Sequence, residues 1–458
     1  MTLAVERLLP LRHAAASENK SLAVHRWVPW IAGFSASFVE ETISTNLPKG
    51  RRDGHWVLDP FAGVGTTMVE ALKAGCNTIG CEINPFAALA AHAKVACVDV
   101  SVEQLKDEMQ SFRCCLTQFE ASVDRCWSSG DRQALGELME PLERCRPPHF
   151  RSRIPFFSPP VEAKFLYSLR YTQDLAEPAR ALFKTALGAT MVRFSNYTYE
   201  PSLGSRPGAG KPLIDNASVA DIVFSKLCEV LHDIRLVKAS HGSRWQPRDR
   251  VVYNGSYFDC RLPVGSISLI ITSPPYMNNY HYVRNTRPQL YWLELISDPS
   301  DLRKHEQQSF GKFWQTVRQG RPVSLQFPLN QLSEKIENLR CLNVERGAYG
   351  GPGWANYVAT YFNDSKLFFE RVKLDLRKDA RAIVVVGNSV IQGIEFKVDE
   401  YFATIAELVG LKTEAIELVR NKRVGSSIVG SSVRRAGPNA ERSGPQLYDA
   451  AVVVKRVA

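Results

Sequence analysis

Four consecutive residues, Ser273-Pro274-Pro275-Tyr276, carry groups able to act on a substrate: a hydroxyl, two carbonyls held by rigid rings, and an aromatic face. They follow SISLIIT (266–272), whose apolar, β-branched composition is that of a buried strand. Two adjacent prolines cannot continue a central strand, because neither has an N–H for the ladder. The chain must leave the sheet here in a rigid loop, polar at its start and aromatic at its tip. A second chemical stretch is DPFAGVGTT (59–67), set between a strand-like WVLD (56–59) and a helix through MVEALKAG that stops at Gly75. Gly63 and Gly65 let the backbone approach a ligand closely, and the helix N-terminus offers free N–H groups to an anion.

Three ligands compete for that glycine loop. A P-loop needs a lysine after its last glycine, where Thr66 stands. A dinucleotide fingerprint needs a third glycine, where Met68 stands. The third is S-adenosylmethionine (AdoMet), whose carboxylate is the anion and whose ribose calls for an acid. Glu82 closes the next strand, NTIGCE (77–82), at the place of a ribose-binding carboxylate. A bare GxG also serves as a plain turn; Asp59 before it and Glu82 after it favour the cofactor.

The elements that must position these loops begin as strand, loop, helix, strand and an alanine-rich helix (86–95), the opening of a parallel α/β sheet. Residues 1–100 hold an N-terminal segment and this cofactor half. Residues 101–245 read as a helical insertion. Ser101 with Gln104 has the spacing of a capping box, and Val102, Leu105, Met109, Phe112, Leu116, Phe119 and Val123 follow at helical spacing. Val219, Val223, Leu227, Val230 and Ile234 mark a second amphipathic helix. Two stretches of the insertion read as loops, the basic, proline-rich 143–160 and the Gly/Pro/aromatic-rich 195–212. The α/β pattern resumes over 246–297. A second insertion is expected over 298–365, with GAYGGPGW (347–354) as a loop. Residues 366–458 close the catalytic domain with strands at 381–387, 412–418 and 448–456, a helix near 398–409, and a Gly/Ser/Arg-rich turn at 424–446.

Together the two loops resemble the amino-methyltransferases of DNA, and most of all those acting on cytosine N4. The hallmark of that family is a (Ser/Asn/Asp)-Pro-Pro-(Tyr/Phe/Trp) loop at a strand end, paired with an FxGxG cofactor loop, here Phe61-Ala62-Gly63-Val64-Gly65. HRWVPWIAGFS (25–35) is similar to the family's segment closing over the methionine end of the cofactor. The resemblance covers 20–98, 250–297 and 380–458. It implies a class I Rossmann-like fold, a mostly parallel seven-stranded sheet with an antiparallel last strand. It implies AdoMet, with S-adenosylhomocysteine as product and no metal. The contacts it implies are Phe34, Asp59, Pro60, Phe61, Gly63, Gly65, Thr66, Thr67, Glu82, Ile83 and Asn84. The family often has Gly-Asp before the catalytic strand, the Asp meeting adenine; this chain has Asn254-Gly255-Ser256, with Asp259 further on, and Ser256 takes that place.

The chemistry accounts for the residue types. An exocyclic amine on a base is a poor nucleophile, because its lone pair is delocalised into the ring. Two acceptors on its N–H groups, the Ser273 hydroxyl and the Pro274 carbonyl, favour a pyramidal nitrogen. The fixed φ of Pro274 and Pro275 pre-sets the loop. Tyr276 would stack on a base swung out of the duplex. The Pro-Cys nucleophile of cytosine-C5 enzymes is absent. Within the same chain Ser158-Pro159-Pro160 follows no apolar strand and ends in Val161, so it reads as a turn.

The formal net charge is +10 and the pI about 9.1, which suits a polyanion, though many basic proteins bind none; the resemblance implies that the polyanion is double-stranded DNA. Target recognition is expected in 101–245, with 298–365 as a second arm. Arg144, Arg146, Arg151, Arg153, Arg206 and Lys211 are candidate phosphate contacts, joined by Arg284 and Arg287 after the catalytic loop. Any one of them serves equally as a solvated surface charge. His281 and Tyr282 read as packing residues. The ten cysteines form no CxxC pair, no zinc spacing occurs, residues 1–17 are not a signal peptide, and no run reaches the ~20 apolar residues of a membrane span. A soluble, reduced, cytoplasmic protein is expected. In the family that the loops resemble, serine at the first loop position goes more often with cytosine N4 and aspartate with adenine N6, so the resemblance implies cytosine N4 before adenine N6. An RNA guanine-N2 methyltransferase and a catalytically dead AdoMet-binding DNA-binding protein are the other readings, and a partner restriction nuclease is an expectation by analogy.

Overall fold

The computed structural model describes residues 18–30, 35–199, 203–277, 282–421 and 446–457. Phe34, His281 and nearly all of the 424–446 turn lie outside them. Seven strands form one sheet: β1 (Trp56–Asp59), β2 (Asn77–Glu82), β3 (Arg250–Asn254), β4 (Ile267–Thr272), β5 (Leu376–Gly387), β6 (Lys412–Asn421) and β7 (Tyr448–Lys455). Their order is β3-β2-β1-β4-β5-β7-β6. All neighbours are parallel except the two pairings of β7. The fold is therefore the Rossmann-like methyltransferase sheet expected.

The helices that frame it are α1 (Ala36–Asn46), α2 (Thr66–Lys73), α3 (Pro85–Val95), α4 (Val102–Ser129), α5 (Pro159–Gln173), α6 (Ala179–Thr190), α7 (Val219–Trp245), α8 (Gly351–Asp375) and α9 (Val398–Leu408). The central strands are apolar on both faces because both are covered. Val57, Leu269, Ile271 and Ile383 meet Phe38 and Ile43 of α1 on one side. Leu58, Ile270, Ala382 and Val384 meet Phe368, Phe369 and Phe402 of α8 and α9 on the other. Helices α4–α7 form a helical body whose core is continuous with α2 and α3. The two pack tightly at Gly188 of α6, where an added Cβ would stand 2.3 Å from Phe86 and 2.8 Å from Leu293.

Several expectations need correction. Ser158-Pro159-Pro160 is the start of α5, with both prolines in its first turn, where a missing N–H costs nothing. The 195–212 stretch is not all loop: Tyr197–Tyr199 and Leu203–Ser205 pair as a small antiparallel ladder. GAYGGPGW is a 3-10 turn running into the first turn of α8. Helix α8, which begins at Gly351 within the expected second insertion, packs on the sheet.

One clamp joins the N-terminal segment to the helical body. Asp233 of α7, fully buried, accepts the backbone N–H of Val24 (2.8 Å), the Trp27 indole N–H (3.0 Å) and the Arg26 guanidinium (2.5 Å). Beside it, His25 Nε2 lies 2.6 Å from Glu70 of α2. The segment is thus pinned to both layers at once.

Candidate active site

Strands β1 and β4 are parallel neighbours, Leu58 opposite Ile270, so the glycine loop and the Ser-Pro-Pro-Tyr loop leave the same sheet edge side by side. Asp59 ties them together. Its buried carboxylate accepts the Thr272 hydroxyl at 2.6 Å and the Phe61 N–H at 3.1 Å, and burial raises its pKa to about 6. Thr67 at the start of α2 donates to the Ile271 carbonyl (3.3 Å). Asp59 and Thr67 therefore brace the loops, and neither they nor Thr66 line the cavity that the loops enclose. Gly65 caps α2 at φ 83°, and an added Cβ there would meet Ala91 at 3.0 Å, so both conformation and space require glycine.

The cavity is walled on one side by Pro60, Phe61, Gly63, Glu82, Ile83 and Asn84, joined by Ser256 from the end of the neighbouring strand β3. On the other side stand Ser273, Pro275 and Tyr276. Ten residues expected in the site thus share one cavity; Phe34 lies outside the described residues. The half-buried Glu82 carboxylate accepts from Gly63 N–H and from Asn84 N–H, both at 2.7 Å, while burial pushes its pKa up to about 7. Asn84 caps α3 through its side-chain oxygen and donates to Thr286 at 2.8 Å, linking the cofactor side to the chain beyond the catalytic loop.

Other walls were not expected. Gln308, Ser309, Phe310, Lys312 and Phe313 close the cavity from the region expected as a second insertion, whereas Trp30 belongs to the 25–35 segment that the resemblance already implied as a cover. Phe310 packs on Phe61 with centroids 5.2 Å apart, and the Ser256 hydroxyl reaches the Gln308 carbonyl at 3.4 Å. This region therefore lines the cavity beside Phe61 and Ser256.

A carboxylate, a side-chain amide, a serine and aromatic rings around a glycine-floored cleft fit an adenosine-bearing cofactor by donor chemistry. The indole of Trp30 lies directly over Gly63, with Nε1 3.1 Å from where a Cβ would stand. The cavity that these residues line measures about 100 Å³. Among the described residues no group of three His, Cys, Asp or Glu side chains is arranged to hold a metal, and no helix is long and apolar enough to cross a membrane.

The exit of the catalytic loop is also fixed. The Ser389 hydroxyl, just beyond β5, donates to the Met277 carbonyl at 2.7 Å. Burial, then the charge of Asp449 on β7, holds the Tyr276 phenol pKa well above the usual range.

Of the eight basic candidates, four converge. Arg151, Arg153, Arg284 and Arg287 line a groove of about 480 Å³ with Phe150, Phe156 and Tyr197. Arg287 lies 5.5 Å over the Phe150 ring. Arg146 is engaged elsewhere, with Glu143 (2.8 Å) and Glu162 (2.5 Å), and Arg206 donates to the Pro212 carbonyl at 2.7 Å. Neither these two nor Arg144 and Lys211 line the groove.

Comparison with known proteins agrees with this arrangement. Residues 12–92 match the DNA methylase family. Over 89% of its length the chain is 21% identical to the type II methyltransferase M.BsoBI of Geobacillus stearothermophilus, covering 82% of that protein. It is 20% identical to M.AvaI of Nostoc sp., again over 89% of the chain and 83% of the relative. A shorter stretch of 67 residues, 15% of the chain and 13% of the relative, is 33% identical to M.MjaII of Methanocaldococcus jannaschii. The resemblance to the DNA amino-methyltransferases read from the two loops holds in these matches.

Proposed function

We propose that this protein is an AdoMet-dependent DNA methyltransferase acting on the exocyclic amine of a flipped base, cytosine N4 before adenine N6, and that it marks DNA against a partner nuclease. The observation that carries the reading is that one cavity has Glu82, Asn84 and Gly63 on one wall and Ser273, Pro275 and Tyr276 on the other. AdoMet would supply a methyl group on a sulfonium. Glu82, Asn84 and Ser256 would hold its nucleoside, and Phe61 would pack its ring. Ser273 Oγ and the Pro274 carbonyl would accept the two amine hydrogens, leaving the nitrogen lone pair free for an in-line approach, while Tyr276 holds the base by its face. Loop ends fixed at Thr272 and Met277 leave little to reorganise, so positioning carries much of the rate.

Nucleoside mass spectrometry of DNA from cells expressing the protein, beside a Ser273→Ala control, tests this. N4-methylcytosine only with the intact protein supports the full reading. N6-methyladenine keeps the mechanism and reverses the base. Methylation of RNA alone moves the substrate to guanine N2, and AdoMet binding without transfer to any polymer supports the inactive reading.

The arginine groove is the proposed DNA contact next to the target base, since Arg284 and Arg287 follow the catalytic loop directly. Replacing Arg151 and Arg153 together by Gln is expected to weaken DNA binding and flatten its salt dependence, by roughly 0.9 in log–log slope for each phosphate no longer neutralised. AdoMet affinity should not change. An unaltered salt slope in a filter-binding titration would remove the groove from the interface.

A further inference from the structure

Between α6 and α7 the helical body carries the ladder in which Tyr197–Tyr199 pairs with Leu203–Ser205. None of its six residues is buried. Opposed residues and residues two apart share a face, so Tyr197, Tyr199, Leu203 and Ser205 stand on one side of it. Tyr197, Leu203 and Ser205 line the groove of the four arginines. Among the described residues Arg151, Arg153 and Arg287 pair with no carboxylate, whereas Arg146 pairs with two. The ladder is also fixed to the chain that leaves the catalytic loop. The Tyr199 hydroxyl donates to the Asn285 carbonyl at 2.9 Å, and the Leu203 N–H donates to the Asn285 side-chain oxygen at 3.3 Å. The Gln289 amide donates to the Tyr199 oxygen at 3.1 Å. Both strands of the ladder are thus held by one residue, and its neighbour Thr286 accepts from Asn84 of the cofactor wall at 2.8 Å.

We propose that this ladder reads the DNA sequence: it enters the major groove beside the target base, with the Tyr197 phenol and the Ser205 hydroxyl on base edges, and Asn285 holds it in register with the catalytic loop. The inference rests on the DNA-methylating function proposed above, and extends the arginine groove from backbone contact to base readout. The major groove admits a two-stranded ribbon and shows a distinct pattern of donors and acceptors for each base pair. Arginines on phosphates place the protein on the duplex but carry no sequence information. The two hydroxyls beside them both donate and accept, which base edges require. Ser205 Oγ already accepts the Gly208 N–H at 3.3 Å, and its own proton and second lone pair remain for DNA. A reader must also stand at a constant offset from the reacting base, or neighbouring bases would be methylated. The paired bonds to Asn285 set that offset. Asn285 touches no base; it is a positioning residue acting through the ladder.

The test compares duplexes carrying the methylated site, mapped by sequencing DNA from expressing cells, with duplexes changed at one base pair. Tyr197→Phe with Ser205→Ala removes both reading oxygens and keeps the Tyr197 ring on Phe156, 5.4 Å away. The double variant is expected to lower the ratio of kcat/KM between the mapped site and its changed forms by about tenfold at one position or more. Affinity for unrelated DNA and its salt slope should not change, which separates reading from the phosphate contacts of Arg151 and Arg153. Asn285→Ala, which releases the Leu203 N–H, should lower the same ratio with AdoMet Kd unchanged, and Asn285→Asp, which keeps the acceptor, should restore it. An unchanged ratio in the ladder variant would overturn the reader, and an unchanged ratio in Asn285→Ala would overturn its part in the register. Should the double variant fail to fold, Ser205→Ala alone, at a half-buried position, decides the matter by the same ratio. A native protein that methylates no DNA would remove the proposed function and the reader with it; a native protein that methylates its site, with variants equally selective, removes the reader alone.

Discussion

Ser273→Ala is expected to lower the rate of methyl transfer by about 10²–10³-fold, the range found when one pre-organised group facing a reacting centre is removed. The effect belongs to the chemical step, because the loop does not depend on this hydroxyl for its shape. Its entry is held by Thr272 on Asp59 (2.6 Å), its exit by Ser389 on the Met277 carbonyl (2.7 Å), and its middle by two proline rings. Ser273 also stands across the cavity from Glu82 and Asn84, so AdoMet affinity should stay within a factor of a few. Single-turnover kinetics and calorimetric AdoMet titration check the two halves. A tenfold loss of AdoMet affinity would place Ser273 in the cofactor half and contradict its role as an acceptor for the amine.

The second large effect is expected at Glu82. Replacing it by Gln removes the charge that would accept the ribose hydroxyls, and hydrogen bonds to a charged group contribute about 1.5–3 kcal/mol, so AdoMet binding should weaken by roughly ten- to a hundredfold. The pKa of about 7 adds a sign. A carboxyl raised by burial is protonated below that pH, whereas donation from ribose hydroxyls favours the ionised form. Binding should therefore release a proton and strengthen as pH rises through 7, and the Gln variant should lose this slope. The opposite sign holds for folding: a raised carboxyl favours the folded state below its unfolded pKa and loses that contribution as pH rises through 7. Calorimetry in buffers of different ionisation enthalpy reads the proton directly. Equal affinity at pH 6 and pH 8 for the native protein would remove the ribose assignment.

Both loops are legible in the sequence because their signals are local. Two prolines after six buried strand residues can only be a strand exit, and Gly65 at positive φ before α2 is a turn that few other residues make. The same locality explains what the sequence hides. Gln308–Phe313 reach the cavity through tertiary packing, Phe310 on Phe61 and the Gly311 N–H on Asp364 (2.8 Å), and neither contact has a spacing to find. Gly and Pro at 347–354 suggest a loop, yet tertiary packing of Trp354 against Trp314 overrides that composition. Asp59 reads as a ligand contact by analogy; in the fold its buried carboxylate accepts the Thr272 hydroxyl, a contact with no spacing to find. Asp233 does leave a trace, an acid beside the apolar stripe of Val230, Ile234 and Val237, where burial demands a partner.

That aspartate bears on how such an enzyme could change its target. If the helical body carried recognition alone, it could be exchanged for another like a tool head. Asp233 sits in that body and holds Val24, Arg26 and Trp27, the last of them three residues before the Trp30 that covers the glycine loop. A graft that replaced α4–α7 without an acid at this place would release the cofactor cover together with the old specificity. Were α4–α7 the part that reads the target, new specificities would come by drift within the body, or by grafts that carry their own staple.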